Sequence, residues 1–158
     1  MLIFRVLGAL LLFFVGASVG WQLVLFERRR YRQLCGFVSL LRQMRTQIDC
    51  FSAPFGDIFA SLDDDVREMC GIVGEPSDLG ALLEATRLTL PREARALLFE
   101  MAGLLGGGDK GEQVRCCEYY LQALLPMANA ARAELPRRER IALLFPLLCA
   151  AALILLLL

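Results

Sequence analysis

The sequence predicts an all-α fold: an antiparallel helical bundle domain flanked by N- and C-terminal transmembrane helices. Three observations lead there. Both ends carry apolar runs that no charge interrupts, the segment between them repeats apolar residues at spacings of three and four, and no stretch alternates with the period of two that a half-buried strand requires. Hydrophobic residues make up 57% of the 158 positions, against about 45–50% in soluble domains, and the excess sits at the two ends.

The first run is Val6 to Phe26. As a helix it is roughly 30 Å long, the thickness of the hydrocarbon core. Ser18 and Gln22 are its clearly polar side chains, and Gly16 and Gly20 have the GxxxG spacing that permits close helix packing. A signal peptide is the rival reading, with Arg5 as its basic start and Gly16-Ala17-Ser18 leading to a cleavage site. The run exceeds the usual apolar length of about 7–15 residues and passes without a turn signal into an amphipathic helix, so a retained span is expected. The second run, Ile141 to Leu158, is near the lower limit of length for a span, and Pro146 is expected to kink it. Neither run holds an ionisable residue, which argues against a proton or ion carrier.

Arginines border both runs on their inner sides. Arg28, Arg29, Arg30 and Arg32 follow the first, and Arg132, Arg137, Arg138 and Arg140 precede the second. By the positive-inside rule the middle of the chain is cytoplasmic and both ends lie across the membrane. The expected division is therefore a transmembrane helix at 1–26, a cytoplasmic helical domain at 27–140 and a second transmembrane helix at 141–158. Between the runs are Cys35, Cys50, Cys70, Cys116 and Cys117, an odd number with one adjacent pair, which is a poor disulfide framework and fits a reducing compartment.

The zero net charge hides a division. Residues 33–131 hold 8 Arg or Lys against 14 Asp or Glu, a net charge of −6 between basic borders. The borders suit anionic headgroups, while an acidic body is repelled by them and is left to meet a protein partner.

Within the body, Leu34, Phe37, Leu41, Met44 and Ile48 form one apolar stripe, expected to continue the first span as a single rod. Ser52-Ala53-Pro54 breaks it and starts a short helix with Phe55, Ile58, Phe59 and Leu62 on one face. The spacing leaves open whether 63–88 holds one helix or several; Leu79 to Leu90 reads as one. Pro91 opens the next helix, with Ala94, Leu97, Leu98, Met101 and Leu105 on one side, and Gly106-Gly107-Gly108 stops it. Asp109 and Glu112 have capping-box spacing for a last helix whose stripe is Val114, Cys117, Leu121, Leu124, Ala128, Ala131 and Leu135. This stripe is expected to pair antiparallel with the Leu34–Ile48 stripe. Pro126 is expected to bend that helix and Pro136 to break it before the basic border.

Chemistry is sparse. The chain has no histidine, so the commonest general base and metal ligand is missing. Cys116-Cys117 lacks chelate spacing and reads as buried structural cysteine. Gly103 to Lys110 fails as a phosphate loop, because Asp109 stands where the lysine belongs and the run follows a helix. Asp63-Asp64-Asp65 reads either as a solvated turn that caps a helix or as a contact for a basic partner surface. No cofactor, no metal and no nucleic acid are expected, and a membrane enzyme acting on lipid or peptide would need acids gathered from distant helices.

Three stretches resemble the stage III sporulation protein AB family. The first is Leu7-Gly8, the apolar run and the Arg28–Arg32 cluster. The second runs from Leu40-Leu41-Arg42 through Thr46-Gln47-Ile48 to Ala53-Pro54-Phe55-Gly56-Asp57-Ile58-Phe59, like the family's long helix ending in an acidic "E-I" pair and a "P-L-x-E-A" helix start. The third, Leu104-Leu105-Gly106-Gly107-Gly108-Asp109-Lys110-Gly111-Glu112-Gln113, is similar to the family's "L-G-x-x-D-x-x-x-Q" turn. Gln47 stands where the family has Glu, and Phe55-Gly56 replaces Pro-Leu. The resemblance implies a non-enzymatic membrane platform of the secretion-type apparatus that links mother cell and forespore, on the mother-cell side of the membrane around the forespore. Its implied partners are a secretion-type ATPase and other stage III apparatus proteins, and homo-oligomerisation is left open. The alternative is a generic membrane-anchored helical adaptor of another secretion or division complex. Candidate partner contacts are Asp63, Asp64, Asp65, Asp109 and Gln113; the membrane collar is Arg28, Arg29, Arg30, Arg32, Arg137, Arg138 and Arg140.

Overall fold

A computed structural model of the chain describes residues 2–51, 55–74, 76–105 and 108–157. Six helices occur among them: α1 (Leu2–Phe51), α2 (Phe55–Ala60), α3 (Asp64–Cys70), α4 (Leu79–Ala85), α5 (Arg92–Leu104) and α6 (Lys110–Leu157). No strand occurs among the described residues. Two compact units are present, Met1–Arg29 with Arg132–Leu158, and Arg30–Ala131.

Helix α1 is continuous from the first apolar run into the Leu34–Ile48 stripe and contains no proline. The expected break at Pro136 does not occur: α6 is one helix through Pro126, Pro136 and Pro146. A proline removes one backbone donor and crowds the preceding turn, at about 3 kcal/mol. Here Ala130–Leu135 precede Pro136 with good helix formers, and Arg138 Nη2 meets Glu134 Oε2 at 2.6 Å across the proline. The Ser52-Ala53-Pro54 break and the Gly106-Gly107 part of the glycine run lie outside the described residues.

The Arg30–Ala131 unit has a continuous apolar core. Leu34, Phe37, Leu41, Met44 and Ile48 are all buried, as are Cys117, Leu121, Leu124 and Ala128 of the α6 stripe. Ile58 and Phe59 of α2 and Ala94, Leu98 and Met101 of α5 join the same cluster. Each large aliphatic or aromatic side chain so buried contributes about 1.5–3 kcal/mol.

Helix α3 begins at Asp64 within the Asp63-Asp64-Asp65 run, so 63–88 holds more than one helix, one of the two arrangements left open. Its first turn carries Asp64 and Asp65, favourable at the positive end of a helix. It ends at Gly71, whose φ of 77° is left-handed and whose N–H reaches the carbonyls of Arg67 and Glu68. It lies close to α1: a Cβ on Gly36 would stand 2.8 Å from Met69 Cβ and 3.0 Å from Cys70 N.

Helix α4 stops at Ala85, short of the expected Leu90, and Thr86 is extended. The physical reason is Gln33 of α1. Its side chain is buried and donates from Nε2 to the Cys70 carbonyl at 2.9 Å and the Arg87 carbonyl at 3.2 Å. Its Oε1 accepts from the Thr89 N–H. Backbone groups that a longer helix would use are thus bound to one side chain. Pro91 is the N-cap of α5 rather than its first residue.

In the other unit, a Cβ on Gly16 would stand 2.9 Å from Ala150 Cβ and 3.1 Å from the Pro146 carbonyl oxygen. One on Gly20 would stand 3.4 Å from Ala142 O and the Leu143 backbone. Both glycines therefore serve close packing of α1 on α6. Residue numbers rise along one helix as they fall along the other. Leu11, Phe14, Trp21, Phe145 and Leu148 are exposed in this unit. Among the described residues one helix, Leu10–Cys50, is long and apolar enough to cross a membrane, consistent with membrane association.

Candidate partner interface

Asp63, Asp64 and Asp65 lie where α2 turns into α3, and all three are exposed. Asp63 holds the N-cap position, yet its side chain makes no capping bond. It accepts instead from Gln43 Nε2 of α1. One turn along α1, Gln47 Nε2 donates to Ser61 Oγ at 2.8 Å. Two glutamines thus seat the α2–α3 corner and leave Asp64 and Asp65 outward. Asp57 and Glu68 are exposed as well. Arg67 is the sole cation in residues 55–70, and its Nη2 donates to the Gly74 carbonyl at 2.9 Å. Five carboxylates therefore share this segment with one guanidinium that is engaged by its own loop.

Asp109 and Gln113 sit at the start of α6. Asp109 Oδ1 accepts from the Glu112 N–H at 2.7 Å, the helix cap its spacing predicts. Gln113 Nε2 donates back to the Gly108 carbonyl at 3.2 Å. No hydrogen bond or ion pair joins this pair to Asp63–Asp65 among the described residues. The candidate contacts therefore form two separate sets, and the second is occupied in building its own turn.

The collar is not uniformly free. Arg28 grips Glu139 with two hydrogen bonds, at 2.7 and 3.3 Å. Arg138 holds Glu134 at 2.6 Å and Glu27 at 3.8 Å. The hydrogen bond from Arg28 holds the Glu139 carboxyl below the usual carboxylate range. Arg29, Arg32, Arg137 and Arg140 are exposed, and Arg30 is half-buried. The acids Glu27, Glu134 and Glu139 are legible inside the basic runs as opposite charges, although the reading of a basic collar passed over them.

Cys70 and Cys117 are buried, and burial pushes both thiols up to about 12. Cys116, half-buried, is raised in the same direction by the same cause. Gln33 is the structural residue the sequence reading missed. Its signal was present: it lies four residues before Phe37, a polar residue on an apolar face.

These features define a class, a helical protein with a long apolar N-terminal helix and an acidic helical body. The model of the stage III sporulation protein AB family matches residues 5–73, which bears out the resemblance over that stretch. The match covers α1, α2 and α3 and ends before the Leu104–Gln113 turn, so it spans less of the chain than the resemblance read from the sequence. No curated protein and no solved structure matches the chain.

Proposed function

We propose that this chain is a non-enzymatic membrane platform of the stage III sporulation apparatus, whose acidic α2–α3 face docks a secretion-type ATPase. The body, residues 27–140, would be an antiparallel helical bundle on the cytoplasmic side, held by spans at both ends. The observation that carries the docking is the excess of acids on this face: Asp57, Asp63, Asp64, Asp65 and Glu68 are exposed in a segment whose sole cation is Arg67. It falls within the segment that matches the family. The second span is supported by the charge-free run Ile141–Leu158 and by the small-residue contacts of Gly16 and Gly20 with Ala142, Pro146 and Ala150. The mechanism is positional, since the spans fix where the face stands and the face fixes where the motor stands.

The test is capture of the purified secretion-type ATPase by the full chain in detergent, at low and moderate salt. Binding through exposed carboxylates weakens with salt as screening shortens their reach, and it falls when Asp63, Asp64 and Asp65 are all changed to Asn. Absence of binding by a chain shown to be helical, or binding indifferent to the three substitutions, overturns docking through this face.

A further inference from the structure

On α1 an open groove of about 500 Å³ is lined by Val19, Gln22, Leu23, Leu25, Phe26 and Arg29. Val19, Gln22, Phe26 and Arg29 recur at spacings of three and four, so they share one helix face. The groove is apolar along its length and carries its charge at one end. About 15 Å of helix separates Val19 from Arg29, and Arg29 lies just beyond the charge-free run Val6–Phe26. Its neighbour Arg28 is taken by Glu139, and Arg138 by Glu134 and Glu27. Arg29 is exposed and has no ion-pair partner among the described residues.

We infer that this groove is a discrete site for one anionic phospholipid, with the Arg29 guanidinium on the phosphate and an acyl chain along Val19, Leu23 and Phe26. This rests on the membrane reading above. Guanidinium is the side-chain group best matched to phosphate, which it binds through two parallel hydrogen bonds. Gln22 lies about two turns deeper. It is a polar amide in an apolar wall, and an ester oxygen of the same lipid would give it a hydrogen-bond partner. A transmembrane helix of another protein would suit the apolar wall equally well. It would have to bring its own acid to face Arg29, since the acids of this chain at that depth, Glu27 and Glu139, already meet Arg138 and Arg28. Anionic lipid supplies that charge at that depth.

Trp21 is the single tryptophan of the chain and adjoins Gln22, so its fluorescence reports on lipid beside the groove. The full chain is placed in phosphatidylcholine vesicles containing either brominated phosphatidylglycerol or brominated phosphatidylcholine, and Trp21 quenching is titrated. The site predicts a preference for phosphatidylglycerol of about fivefold, the worth of one basic side chain near an anionic surface. That preference is lost in Arg29→Gln and kept in Arg137→Gln. Equal quenching by the two lipids overturns the site while leaving the membrane reading standing. An equal loss in both variants also overturns it, in favour of diffuse attraction to the collar. No quenching by either lipid overturns the membrane reading itself.

Discussion

Gln33 and Thr89 stand 56 positions apart in the chain, and Gln33 Oε1 accepts two hydrogen bonds from Thr89, one from the backbone N–H at 2.7 Å and one from the hydroxyl at 2.8 Å. With the two carbonyls bound by its Nε2, the Gln33 amide ties α1 to the end of α3 and to the segment between α4 and α5.

Replacing Gln33 with Leu orphans the carbonyls of Cys70 and Arg87 and the N–H of Thr89. Unpaired buried groups cost about 1–3 kcal/mol each, and partial relaxation is expected to leave a total loss of about 2–4 kcal/mol. Thr89→Val removes only the hydroxyl bond and is expected to cost about 1 kcal/mol. Denaturant melts of helicity for the two variants in detergent check this ordering. A Gln33→Leu protein as stable as the parent contradicts the role given to the amide.

Gly36 and Gly103 make a matched pair. Alanine at Gly36 drives a methyl into Met69 and the backbone of Cys70, whereas nothing lies within 4 Å of the same methyl at Gly103. Overpacking costs about 1–3 kcal/mol and outweighs the gain of about 1 kcal/mol from alanine's helix preference. Gly36→Ala is therefore expected to lower the melting temperature, while Gly103→Ala holds or raises it.

The thiols are expected to separate by reactivity. The thiolate is the nucleophile, and a pKa raised to about 12 leaves Cys70 and Cys117 almost wholly protonated at pH 8. Cys50 is exposed. Iodoacetamide followed by peptide mapping should modify Cys50 first and leave Cys70 and Cys117 unmodified until denaturant is added.

Asp109 separates capping from contact. Asp109→Ala loses the bond to the Glu112 N–H and is expected to cost about 1 kcal/mol, whereas Asp109→Asn keeps it at little cost. If Asp109 acts only as a cap, sporulation follows the stability of the two variants. Loss of sporulation in a stable Asp109→Asn cell line assigns it a partner contact.

The legible parts of the fold were those with one strong local cause. The Leu34–Ile48 stripe repeats an apolar face over several turns, and the Asp109–Glu112 spacing is a short-range capping rule. Each needs no knowledge of the rest of the chain. The extent of helix α3 was not legible, because its apolar face is reduced to Val66 and Cys70. The early end of α4 depends on Gln33, far away in the chain, which no local pattern reports. Pro136 misled for the opposite reason: a local rule for breaking helices was overridden by the helix formers and the Glu134–Arg138 pair around it. The acidic residues of the candidate interface were visible in the sequence. The hydrogen bond that ties the Arg67 guanidinium to the Gly74 carbonyl of its own loop was not.

The central claim is that two spans hold the helical body on the cytoplasmic side of the membrane, and reporter topology in intact cells tests it most directly. Alkaline phosphatase is fused after Leu158, and in a separate strain an epitope is inserted at the exposed loop residue Val73. The account predicts an active phosphatase, which requires export, together with an epitope inaccessible to antibody or protease until the cells are lysed. An inactive phosphatase after Leu158, replaced by bright fluorescence when a cytoplasmic reporter is fused there, contradicts the second span and removes the platform built on it.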